Sequence, residues 1–115
     1  MIKGFGGIFW RTKNLEATKK WYSEVLKIDL ENWNGTMIKP ESRNETIFSF
    51  FTEDDSYFPT EQQVMLNFQV HNLDETIHHL EQIGVPLEKD KEVSEYGKFT
   101  WIKDPDGRLV ELWEK

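Results

Sequence analysis

The sequence predicts an α+β fold. Two βαβββ modules, related by an internal repeat, form one curved mixed sheet, a cup with helices on its outer face. Three observations lead there. Residues 12–18 and 70–76 match at a shift of 58, placing Asn14 on Asn72, Leu15 on Leu73, Glu16 on Asp74 and Thr18 on Thr76. Both copies sit where an alternating strand meets a helix-capping Asn. Short apolar runs with strand character follow each helix.

The elements follow in order. Residues 7–12 are bulky and alternating and read as a strand; Asn14 then caps a helix over about 15–26. Leu15, Trp21, Tyr22, Val25 and Leu26 form its apolar face. Strands are expected at about 28–33, 36–39 and 46–52. The acidic, proline-containing segment 53–61 reads as the linker between halves of about 1–55 and 61–115 in one domain spanning 1–115. In the second half a strand at 65–70 leads to Asn72, whose spacing from Glu75 suits a capping box. A helix over about 73–83 follows, with Leu73, Ile77, Leu80 and Ile83 on one face and Gly84 and Pro86 ending it. Strands are expected at about 86–89, 98–103 and 108–113, the last two joined by the turn Asp104-Pro105-Asp106-Gly107.

Composition bounds the function. Fourteen Lys+Arg against 21 Asp+Glu give a net charge of −7. That field repels nucleic acid and anionic lipid, attracts a cationic ligand, and also serves plain solubility. No apolar run approaches the ~20 residues of a membrane span, and no signal-peptide layout opens the chain. Cysteine is absent, which removes disulfides and thiolate chemistry and fits an expected cytoplasmic location. Aromatics reach 14%, more than a small core readily absorbs, so some rings are candidates for a cavity or subunit interface.

Three stretches resemble the vicinal-oxygen-chelate superfamily, which includes glyoxalases, extradiol dioxygenases and bleomycin-resistance proteins. They are Phe9 to Leu30, Phe68 to Val85, and Asp104-Pro105-Asp106-Gly107-Arg108-Leu109-Val110-Glu111-Leu112. Lys27 stands where the family usually has Gly, and a left-handed Lys there costs roughly 1 kcal/mol. The resemblance implies four inward metal-ligand positions, falling on Gly7, Ser49, Met65 and Glu111. Only Glu111 has suitable chemistry, and one carboxylate does not hold a catalytic divalent ion. His71, His78 and His79 form no ligand spacing and read as surface residues. No cofactor is therefore expected, and a divalent metal is disfavoured. The resemblance further implies a homodimer.

Period-two alternation sorts the strands. Ile8, Trp10, Phe48, Phe50, Leu66, Phe68, Val70, Val110 and Leu112 are expected towards the helices. Phe5, Phe9, Arg11, Ile47, Ser49, Phe51, Met65, Asn67, Gln69, Leu109, Glu111 and Trp113 are expected in the cup. In strand 98–103, Thr100 and Ile102 are expected there too, unless a bulge exchanges them with Phe99 and Trp101. The candidate ligand-binding set is Phe5, Phe9, Arg11, Ser49, Phe51, Met65, Asn67, Gln69, Glu111 and Trp113, with Arg11 a candidate partner for Glu111. These residues suit a metal-independent small-molecule-binding protein with a planar or cationic ligand. Two alternatives stand beside it. One is a divergent metal-dependent lyase or dioxygenase with Glu111 as its catalytic group; the other is an interaction module whose cup is closed by dimerisation.

Overall fold

A strand, a helix and three strands build the second half of the chain. A computed structural model describes residues 1–115. Helix α1 spans Leu15–Val25, strand β1 Leu66–Gln69 and helix α2 Leu73–Gln82. Strands β2 (Lys89–Ser94), β3 (Gly97–Lys103) and β4 (Leu109–Glu114) complete a sheet of order β1-β4-β3-β2. β1 runs parallel to β4, and the other pairs are antiparallel.

Both helices start as their sequences dictate. The side-chain oxygen of Asn14 accepts from the Ala17 N–H (3.1 Å), and that of Asn72 from the Glu75 N–H (3.0 Å). Both also end alike. Lys27 takes φ 55° after α1, and Gly84 takes φ 76° after α2, each one residue beyond the helix cap. Lys27 therefore accepts the left-handed conformation rather than avoiding it. The core lies between α1, α2 and one sheet face: Val25, Leu73, Leu80, Ile102, Val110 and Leu112, with Trp21, Phe68, Val70 and Ile77 packed around them. Leu15 and Ile83, expected on the apolar helix faces, are exposed.

The turn expected at 104–107 forms the joint between the halves. The Asp104 carboxylate, 5% exposed, accepts from the Tyr22 hydroxyl (2.9 Å), the Asp106 N–H (2.9 Å) and the Arg108 N–H (3.0 Å). Burial, then the bond to Asp104, pushes the Tyr22 phenol well above its ordinary pKa. Arg108 donates to the Arg11 carbonyl, and the Lys13 N–H donates to Asp106 (3.0 Å). His79 adds a link from α2 to the Val25 carbonyl (3.0 Å), so it is half-buried and structural rather than a plain surface residue.

Three expectations are corrected. The strands expected at 7–12, 28–33, 36–39 and 46–52 do not form, so the second βαβββ module stands without its twin. Alternation specifies a face to bury, but a strand also needs a neighbouring ladder, and these segments pair with none. Their apolar residues stay outside: Phe9 is 93% exposed, and Ile8, Trp10, Phe48 and Phe50, expected against the helices, are exposed as well. The surface is 9208 Å², against about 6,600 Å² expected for this mass. Second, β2 begins at Lys89 rather than near 86 and reaches Ser94. Third, Thr100 and Ile102 face the helices. They pair with Leu112 and Val110, and residues directly opposite in an antiparallel ladder share a face. Phe99 and Trp101, opposite Trp113 and Glu111, take the other face.

Candidate functional site

Glu111 lies at the centre of the sheet face away from the helices. It sits on β4 between β1 and β3, opposite Asn67 on one side and Trp101 on the other. Flanking strands on both sides keep it only 6% exposed. Each carboxylate oxygen is engaged. Asn67 Nδ2 donates to Oε1 (2.5 Å), Trp101 Nε1 donates to Oε2 (2.9 Å), and the Tyr57 hydroxyl also donates to Oε2. All three donors are neutral, so the carboxylate is hydrogen-bonded but not ion-paired.

Aromatic rings wall this centre. Phe99 stacks on Trp101 (6.4 Å between centroids) and on Trp113 (5.8 Å). Tyr57 meets Trp101 edge-on at 6.3 Å and stacks on Phe51 at 5.5 Å. Phe58 meets Phe51 edge-on at 5.4 Å. The Lys89 ammonium lies 4.9 Å from the Trp101 ring and 5.5 Å from the Tyr57 ring. Burial, followed by the bond to Glu111, raises the Tyr57 pKa well above its ordinary value. The phenol is thus a firm donor at neutral pH.

The structure brings together Glu111, Asn67, Phe51 and Trp113 of the expected set, the last through Phe99. It does not bring in the others. Phe5 packs edge-on against Phe48 (5.7 Å), Phe9 projects outward, and Ser49 is exposed. Arg11 makes no ion pair with Glu111; its carbonyl serves the Arg108 joint instead. Met65 precedes β1, and Gln69 lines a separate hollow of about 360 Å³ with Leu26, Met37, Ile38 and Phe68. A second hollow, about 500 Å³, lies between Ile8–Trp10, Gln62–Val64 and Asp106–Arg108. Glu111 lines neither of them.

Sequence patterning does not single out Tyr57 or Lys89. The segment 53–61 reads as an acidic linker, and the adjacent pair Tyr57-Phe58 within it was the available signal. Nothing in local sequence places Lys89 opposite Trp101; that comes from the ladder.

A divalent ion needs several converging ligand atoms. Of the four positions the resemblance implies, Gly7 carries no ligand atom, Ser49 is exposed and Met65 offers a thioether. No three His, Cys, Asp or Glu side chains converge. The hydrogens of Trp101, Tyr57 and Asn67 point at Glu111, where a cation would need lone pairs. These residues do not fit a divalent ion.

Residues 4–112 match the family described as the Glyoxalase/Bleomycin resistance protein/Dioxygenase superfamily. Among solved structures, a glyoxylase/bleomycin resistance protein/dioxygenase domain from Frankia sp. EAN1pec is 17% identical, over 99% of this chain and 93% of that chain, with a TM-score of 0.64. TnmS3, an antibiotic binding protein from Streptomyces sp. CB03234, is 21% identical over 89% and 87%, with a TM-score of 0.57. A superfamily member from Sphaerobacter thermophilus DSM 20745 is 19% identical over 90% of each chain, with a TM-score of 0.55. No curated protein matches the chain.

Proposed function

This chain belongs to the glyoxalase/bleomycin-resistance protein/dioxygenase superfamily, and from that premise we propose that it is a metal-independent small-molecule-binding protein of the cytoplasm. Its ligand is a planar or cationic compound held in the aromatic, acidic cup, with no bond made or broken. The observation that carries the reading is Glu111: a buried carboxylate held by neutral donors and walled by Trp101, Phe99 and Trp113. A charge without a counter-ion is costly to bury, so a ligand bringing positive charge or a strong donor is favoured there. The rings offer stacking area to a flat molecule. That a related fold, TnmS3, is an antibiotic binding protein is consistent with binding of this kind.

A homodimer is part of the proposal. The unpaired apolar segments of the first half and the large surface support it, since contiguous exposed apolar area marks interaction surfaces. Sedimentation velocity tests it: a concentration-independent monomer removes the homodimer.

Titration of the protein with planar aromatic probes, cationic (acridine orange) and neutral, tests the binding reading through tryptophan fluorescence. Saturable quenching at micromolar probe is expected, and it falls in Glu111→Gln for the cationic probe. No change with any planar probe at high micromolar concentration removes the reading. In parallel, metal-stripped protein is titrated with Ni, Zn, Mn and Fe(II). No stoichiometric uptake is expected; a tightly held ion moves the assignment to a divergent glyoxalase-like lyase or dioxygenase.

A further inference from the structure

We infer that Tyr57 is an internal ligand of the cup, and that the compound the cup takes is a neutral phenol that replaces it. This rests on the binding reading above and narrows its ligand chemistry. Tyr57 belongs to no helix or strand. It nonetheless delivers its hydroxyl to the buried Glu111 Oε2, in the same place that a bound donor would occupy. Its ring is half-buried, stacked on Phe51 and edge-on to Trp101. Two short turns aim it there: the Tyr57 N–H donates to Asp55 Oδ1 (2.8 Å), and the Asp55 N–H donates to the Thr52 carbonyl (3.1 Å).

The two donors on Oε2 differ in kind. Trp101 is built into β3, only 1% exposed and paired on both sides, so its indole N–H stays with the sheet. Tyr57 is carried by the 53–61 segment, whose release breaks no ladder bond. A free phenol reproduces what is lost, namely one O–H on Glu111 and one electron-rich ring set steeply against Trp101. Lys89 sharpens the choice. Its ammonium, 5.5 Å from the Tyr57 ring and 4.9 Å from the Trp101 ring, favours an electron-rich ring at this spot.

The test uses p-cresol, the tyrosine side chain as a free molecule, with toluene as the control lacking the hydroxyl. In Tyr57→Gly, p-cresol is expected to bind at least about tenfold tighter than toluene, the step a hydrogen bond to a charged acceptor supplies. It is also expected to bind at least about tenfold tighter to the variant than to the wild type, whose own phenol competes. Equal binding of p-cresol and toluene, or equal binding of p-cresol to variant and wild type, overturns the inference. Should Tyr57→Gly fail to fold, Tyr57→Phe serves: amides of 54–60 should exchange at least about tenfold faster than in wild type, and unchanged protection overturns the inference. The two readings fail separately. Acridine orange binding with no p-cresol discrimination removes the phenol alone; p-cresol discrimination with no planar probe binding the wild type removes the resting binder alone.

Discussion

Removing the Asp104 carboxylate should destabilise the whole chain, because four donors end on it: the Tyr22 hydroxyl from α1, and the Asp106 N–H, the Arg108 N–H and the Arg108 guanidinium from its own turn. The Tyr22 hydroxyl is buried with it; the Asp106 and Arg108 N–H groups are partly buried and can turn to water. A buried donor stripped of its partner costs about 1–3 kcal/mol, and a hydrogen bond to a charged group is worth about 1.5–3 kcal/mol. Asp104→Ala should therefore cost roughly 3–5 kcal/mol, a large part of the ~5–15 kcal/mol that typically holds a domain together. Tyr22→Phe should cost about 1.5–3 kcal/mol. The double variant should fall short of the sum by a coupling of about 1–3 kcal/mol, because each change removes the same bond. Urea unfolding of the four proteins, followed by tryptophan fluorescence and circular dichroism, gives all the terms. Additive losses, or an Asp104→Ala cost below about 1 kcal/mol, would refute the reasoning. The joint would then be an exposed turn.

Three further perturbations follow. Gly97 holds φ 122°, and a Cβ there would lie 2.2 Å from the Glu114 carbonyl oxygen, so Gly97→Ala should cost roughly 1–3 kcal/mol in the same unfolding assay. The Gln62 side chain accepts from the Leu109 N–H (2.8 Å) and donates to the Leu109 carbonyl (2.9 Å), extending the β4 ladder; Gln62→Ala should lose about 1–2 kcal/mol and expose the Leu109 amide to faster exchange. For pH, Tyr22 and Tyr57 both have folded pKa values raised above the ordinary 10.0, by burial first and a carboxylate partner second. Their contribution is whole below pH 10 and is lost as pH rises above it, so their ultraviolet ionisation signal should appear only together with loss of circular dichroism. Ionisation of all three tyrosines in a protein that remains folded would contradict this.

The second half could be read from sequence because its signals were local and agreed with one another. Asn72, Gly84 and the Asp104–Gly107 turn each specify backbone geometry within a few residues, and α2, β3 and β4 fall close to where those residues put them. The first half carries the same kind of alternation, yet Phe9 and Phe48 have no ladder to join, and period two cannot say whether a neighbouring strand exists. Glu111 and Asn67 were readable as cup residues from their alternation in β4 and β1. Trp101 was not, because one register choice in β3 decides between it and Thr100, and only pairing with β4 makes that choice. Tyr57 reaches the site across 54 residues of chain, a distance no local pattern encodes.

The parallel pairing of β1 with β4 sets an order of assembly. Partners between β3 and β4 are separated by 6 to 16 residues, whereas Asn67 meets Glu111 across 44. Closing the longer loop carries the greater entropy loss, so the β2-β3-β4 meander should form first and β1 dock afterwards. The surroundings of Glu111 are then completed in the last step of folding and opened in the first step of unfolding. Asn67→Ala should accordingly speed unfolding and leave the refolding rate nearly unchanged, and a slowed refolding limb in stopped-flow would reverse the order. The Glu111 centre is thus the part that the chain is slowest to commit to, and any molecule bound there acts directly on the step that governs how long the native state lasts.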